Sequence, residues 1–250
     1  MKSTASLPTP VPNSDASTVR VFRLPLGLRL LSIAAVIVLM AVTAIMSAFA
    51  VLVFASHWGL GLLMTACAGL FGALSGYCLR DLRGKLGLRV VFDADAVTLH
   101  LPAGRSLIHR PPGQQLTIPY TDIEMIEARY EGYRSLGTAL MQRAYVLRRK
   151  GGELIFLFEE RALATRMASS FFTDIVAEIV ARTHVPVREL GTVEGKGGIL
   201  CAWGTEAPNW AAPPLPRDQA LRLWRHAAST GSLVMSLILL FVIIRVLSKW

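Results

Sequence analysis

The chain has 250 residues, 53% of them hydrophobic and 17% charged, with a mean hydropathy of +0.47. Soluble domains carry about 25% charged residues, so the balance points to the membrane. The net charge of +9 would suit nucleic acid, but 13 Arg and Lys against 12 Asp and Glu lie between Leu88 and Leu190. The surplus flanks the apolar segments, where the positive-inside rule puts it, instead of forming the basic face of a nucleic-acid-binding domain.

Residues 1–22 are rich in Ser, Thr and Pro and poor in large apolar side chains, a composition that predicts disorder. From Leu30 to Leu79 there is no Lys, Arg, Asp or Glu. A bilayer core about 30 Å thick takes roughly 20 apolar residues per helix, so this stretch predicts a transmembrane hairpin within residues 28–79, with crossings at about 30–54 and 60–79. Its break falls at Ala55-Ser56-His57-Trp58-Gly59. Ala34, Ala41, Ala44 and Ala48 offer small positions on the first crossing, and Gly69, Gly72 and Gly76 on the second. Small residues at such spacing let backbones meet in lipid, which makes the three glycines candidate helix-packing residues, either within the hairpin or against another subunit. Arg20, Arg23 and Arg29 precede the hairpin, and Arg80, Arg83, Lys85 and Arg89 follow it. The connecting loop has neither Lys nor Arg, which predicts a cytoplasmic location for both outer ends. The expected setting is a bacterial inner membrane.

From Leu88 the pattern changes to that of strands. Val90–Phe92 and Ala96–Leu101 flank Asp93-Ala94-Asp95, a hairpin signal, and residues 102–115 read as a loop. Leu116–Tyr120 leads through Thr121-Asp122 to a strand at Ile123–Tyr130. Residues 131–142 read as a polar loop, with Asp122, Glu124 and Glu127 on a solvated face. Residues 144–150 and 153–158 flank Gly151-Gly152, a two-residue hairpin signal. An apolar stripe of Leu163, Met167, Phe171, Ile175 and Ile179 then predicts a helix over about 162–183, laid against the sheet.

Six or seven antiparallel strands closed by one C-terminal helix are the pleckstrin-homology-like layout. The stretch Ile118–Ile126, the Gly151-Gly152 hairpin and the helix carrying Phe171, Ile175 and Ile179 give residues 86–190 a pattern that resembles the bacterial PH-like domains of multi-spanning membrane proteins. That resemblance implies a cytoplasmic binding or assembly module without catalysis. Relatives that hold phosphoinositides use basic residues at the first hairpin, where this chain has Asp93 and Asp95. Arg148, Arg149 and Lys150 remain as possible headgroup contacts.

Residues 191–216 read as a Gly/Pro-rich linker, in which Trp203 and Trp210 anchor the chain either to the domain or to the membrane interface. Residues 217–226 alternate basic residues with Leu221, Leu223 and Trp224, which suits an interfacial helix whose Arg222 and Arg225 would also meet headgroups. Residues 227–248 predict a third transmembrane helix with a periplasmic C-terminus.

Motifs for catalysis, cofactors or metals are missing: there is no H-E-x-x-H or G-x-S-x-G, and Cys67, Cys78 and Cys201 have no metal-ligand spacing. The expectation is three transmembrane helices plus a PH-like domain. Such a protein would be a non-catalytic scaffold, adaptor or assembly factor for other membrane proteins, with the lipid bilayer and a membrane protein or complex as partners. The alternative is a sensor of anionic lipid headgroups. No nucleic acid, small-molecule substrate, catalytic residue, cofactor or metal is expected.

Overall fold

A computed structural model describes residues 19–106, 108–135, 138–161, 171–198 and 204–229. The chain divides into two compact units, one built from Val21–Val91 with Thr98–Thr117 and the other from Phe92–Val97 with the chain from Ile118 onward and the residues up to Arg20.

The first unit holds the two long helices, α1 (Leu26–Phe54) and α2 (Trp58–Leu86), joined by Ala55, Ser56 and His57. Each has 29 residues, about 43 Å at 1.5 Å per residue, enough to cross a bilayer core with several residues left over. Both are apolar enough to cross a membrane. Most of their large side chains face outward: Leu31, Ile37, Val38, Val51, Leu52 and Trp58 are all exposed, as lipid-facing residues are. The buried positions instead follow a seven-residue spacing. On α1 they are Val36 and Ala50, with half-buried Thr43 between them; on α2 they are Gly61, Ala68, Ser75 and Leu82, with Gly84 buried off this spacing near the C-terminal end. Two antiparallel helices with small residues in one seam approach closely. Here the Thr43 and Ser75 hydroxyls lie 3.3 Å apart and each also donates to a carbonyl one turn back in its own helix.

The helices are longer than their uncharged cores. α2 runs seven residues past Leu79 because Arg80, Leu82, Arg83, Lys85 and Leu86 are good helix formers, and Lys85 pairs with Asp81 one turn away. Beyond the apolar run, Gly84 meets the loop after the third strand. A methyl group there would collide with the Gly104 carbonyl, so the absence of a side chain permits this contact.

Eight strands are described, in two sheets. The first has the order β1 (Arg20–Arg23), β2 (Arg89–Phe92), β3 (Ala96–Leu101) and β4 (Gln114–Pro119). In β3 buried residues alternate with half-buried ones, the period-two pattern of a strand with one covered face. β1 lies in the segment expected to be disordered; residues 1–18 are outside the described residues. The loop between β3 and β4 is tied by Arg105, whose guanidinium donates to the carbonyls of Pro102 (3.1 Å) and Pro112 (2.6 Å).

The second sheet has the order β7 (Leu154–Arg161), β6 (Thr138–Arg149), β5 (Ile123–Ser135) and β8 (Val187–Gly195). β5 and β6 form a long antiparallel hairpin from Ile123 opposite Arg149 to Ser135 opposite Thr138. The stretch expected as a polar loop at 131–142 therefore forms the outer arms of this hairpin. Gly132 misled because it marks a close approach, not a turn: a Cβ there would run into Leu223. β8 pairs with β5 in parallel, so the sheet is not wholly antiparallel. It also takes the first residues expected to be linker.

Two helices cover one face of this sheet. In α3 (Phe171–Thr183), Phe172 stacks on Phe158 at 4.5 Å and Phe158 on Tyr145 at 5.2 Å. Residues 162–170 of the expected helix lie outside the described residues. α4 (217–229) buries Leu223 and Ala227 against Ala139 and Met141, and Trp224 meets Tyr130 edge-on. Leu223 and Trp224 of the expected interfacial helix thus meet protein, whereas Leu221 stays exposed. The expected third crossing, from residue 230 on, lies outside the described residues.

Candidate functional site

β5 presents Glu127, Arg129, Glu131 and Tyr133 at alternate positions, hence on one face, and all four are buried. Gln142 stands opposite Glu131 on β6, and Glu159 lies on β7. Arg129 donates from Nε to Glu131 Oε1 at 2.8 Å, and the Tyr133 hydroxyl donates to Glu131 Oε2 at 2.7 Å. Gln142 Nε2 lies 3.0 Å from both Glu131 Oε2 and Glu159 Oε2, so one side-chain amide links two carboxylates across three strands.

Arg129 also holds the segment after β8. Its two terminal nitrogens donate to the carbonyls of Asn209 and Pro208, each at 2.8 Å, and its guanidinium lies 3.9 Å from the Trp210 ring centroid. Trp210 Nε1 donates to Glu127 Oε2 at 2.6 Å, and Glu127 takes a two-pronged contact from Arg148. Burying these charges is costly unless each is paired and hydrogen-bonded; here Arg129, Glu131 and Glu127 all are. The network acts as a brace that fastens Pro208–Trp210 to the middle of the sheet. Further along, the Leu215 N–H donates to the Thr192 carbonyl at 2.7 Å. Trp210 is therefore an anchor to the sheet, and most of the described part of the expected linker is fastened down. Trp203 lies outside the described residues.

On the opposite face, the Tyr145 hydroxyl donates to Glu160 Oε1 at 2.9 Å, and Arg143 pairs with Glu189 and lies over the Tyr130 and Tyr145 rings. Burial, reinforced by the neighbouring carboxylates Glu131 and Glu160, raises the Tyr133 and Tyr145 hydroxyls well above the ordinary tyrosine value. Burial lowers Arg105 to about 10.

The residues expected to contact headgroups divide into two groups. Arg148 is engaged by Glu127, and Arg149 by Asp122 and Glu153. Lys150, Arg222 and Arg225 are exposed. Of the carboxylates expected on a solvated face, Glu124 is exposed but Glu127 is buried. The first hairpin turn is occupied from within its own unit: the Asp93 carbonyl accepts from the Tyr120 hydroxyl at 2.9 Å and from Arg182 at 2.7 Å. Arg182 shares Glu178 with Arg20.

The three candidate packing glycines also separate. Gly72 faces α1, where a Cβ would sit 3.5 Å from the Thr43 methyl, while Gly69 and Gly76 have open space around them. The tight contact of the hairpin is at Gly61, where a Cβ would come within 2.6 Å of the Phe54 ring. Ala34, Ala41, Ala44 and Ala48 are exposed, so they too face away from the seam.

The brace residues Arg129, Glu131, Tyr133, Gln142 and Glu159 had no part in the sequence-based candidate set. The signal was the alternation Glu127, Arg129, Glu131, Tyr133, which becomes readable once the strand is carried past Tyr130. No family model, curated protein or solved structure matches this chain.

Proposed function

We propose that this chain is a membrane-anchored, non-catalytic interaction module: a hairpin set in a bilayer, with a PH-like domain that scaffolds or assembles other membrane proteins. The observation that carries the reading is how the polar interior of the second sheet is used. Its Arg, Glu, Tyr and Gln side chains bond to one another and to the Pro208–Trp210 segment. Polar networks that are satisfied in this way hold a single conformation, and a fixed surface suits docking of a partner. The outward-facing apolar side chains of α1 and α2 support residence in the bilayer, and the charge distribution supports a cytoplasmic domain in a bacterial inner membrane.

Headgroup sensing by the domain has less support, because Arg148 and Arg149 already have carboxylate partners. The deciding experiment is purification of the full chain in mild detergent from native membranes, followed by intact mass measurement. The scaffold reading expects a membrane protein at constant stoichiometry. A monomer with no reproducible companion, and with vesicle affinity that depends on Lys150, would instead favour the sensor.

A further inference from the structure

We infer that the base of the helical hairpin holds the phosphate group of an anionic phospholipid between Arg29 and Arg89. Both side chains are half-buried, and their Nε atoms are buried with no hydrogen-bond partner among the described residues. An unpartnered buried donor is costly, more so on a charged group, and a guanidinium fork matches phosphate oxygens in geometry and charge.

The register of the hairpin brings the two residues to one end. Phe54 meets Gly61, and Thr43 meets Ser75. Carried down the antiparallel pair, this register sets Arg29, in the first turn of α1, level with the C-terminal end of α2. There the chain turns at Gly87 and enters β2 at Arg89. β1, which ends at Arg23, is hydrogen-bonded to β2 in the same sheet. Exposed Arg23, Arg80 and Arg83 add positive charge to this end. The first turn of α1 contains no acidic residue and its N-cap, Pro25, makes no side-chain bond, which leaves the positive end of the helix dipole uncompensated.

The contrast with the second sheet shows that this is not simply an abundance of arginine. Arg129, Arg134, Arg143, Arg148 and Arg149 of that sheet, and Arg182 of α3, all have carboxylate partners, although Arg143 Nε itself has no bond among the described residues. Among the described residues, no carboxylate pairs with Arg23, Arg29, Arg80, Arg83 or Arg89, and the one acid nearby, Asp81, is held by Lys85. A row of arginines at the level where an apolar helix leaves the bilayer meets headgroup phosphates, and a lipid brings its phosphate already at that depth. The inference depends on the hairpin entering a bilayer, but not on any protein partner.

The test uses the full chain in detergent micelles doped with phosphatidylglycerol or with phosphatidylcholine. Retained lipid is read by native mass spectrometry, and the melting midpoint is followed with and without millimolar inorganic phosphate. We expect retained phosphatidylglycerol and a raised midpoint for the native chain, with no such rise from inorganic phosphate. Arg29→Gln with Arg89→Gln should weaken retention at least tenfold. Arg29→Lys with Arg89→Lys keeps the charge and the fold and should weaken it by a smaller factor. Arg188→Gln, an exposed position on β8, should stay within twofold of the native chain. Equal retention of both lipids, equal retention by all variants, or full replacement by inorganic phosphate would each overturn the inference. Loss of partner co-isolation with lipid retention intact would count against the scaffold reading alone.

Discussion

Arg129 ties together four partners: Glu131, the Pro208 and Asn209 carbonyls, and the Trp210 ring. Removing one partner of a buried ion pair costs about 3–5 kcal/mol, so Arg129→Ala should destabilise the chain by that much in a urea titration of the detergent-solubilised protein. Trp210→Phe tests the strap separately. It keeps a ring under the guanidinium but removes the donor to Glu127, a hydrogen bond to a charged group worth about 1.5–3 kcal/mol. If Trp210→Phe costs nothing, the brace does not hold the strap. The tyrosines add a pH signature. Tyr133 and Tyr145 keep their protons in the folded state above the ordinary value of 10.0, whereas in the unfolded chain they ionise near it. Stability is therefore undiminished by these groups below pH 10 and falls above it, by about 1.4 kcal/mol per pH unit for each tyrosine. Arg105 acts in the opposite direction between about 10 and 12.5, because it loses its proton first in the folded state. Two groups outweigh one, so the net trend is downward. Absorbance titration should show both tyrosines ionising only as the protein unfolds; early ionisation of both in the folded chain would contradict their burial.

At the scale of elements, the hairpin seam runs through Gly61, Ala68, Ser75 and Leu82. Gly61→Leu should force Phe54 aside and separate the helices, with a cost of about 1–3 kcal/mol for overpacking. Gly69→Leu and Gly76→Leu enter open space and should leave the fold of the hairpin unchanged. Thermal melts of the three variants in one detergent make the comparison; equal losses at all three positions would show that the seam lies elsewhere. The same contrast marks what was legible in the sequence. The two long apolar helices, the turn at Asp93–Asp95 and the Gly151-Gly152 hairpin could be read because hydropathy and turn residues are local signals. Which glycine faces which helix could not, because it depends on the register between two chain segments, and G-x-x-x-G spacing alone does not set that. β8 was hidden for a related reason. A parallel strand pairs across a long crossover, and Val187–Gly195, with Gly191 and Gly195 in it, carries little strand propensity of its own. Arg129 and Glu131 were missed because charged residues on a strand ordinarily signal solvent.

At the scale of the whole molecule, composition and charge were the informative features. The basic surplus lies outside Leu88–Leu190, and the hairpin loop of Ala55, Ser56 and His57 contains no basic residue except the histidine. For the proposed membrane-anchored module, the positive-inside count predicts the closed end of the hairpin outside the cell and residue 150 in the cytoplasm. The most direct measurement is cysteine accessibility in intact cells, in a background with Cys67, Cys78 and Cys201 replaced. Ser56→Cys stands at the closed end and Lys150→Cys on the exposed β6–β7 turn. A membrane-impermeant maleimide added from outside should label Ser56→Cys promptly and reach Lys150→Cys only after permeabilisation. Labelling of both positions from the same side would contradict a spanning hairpin and, with it, the membrane-anchored module.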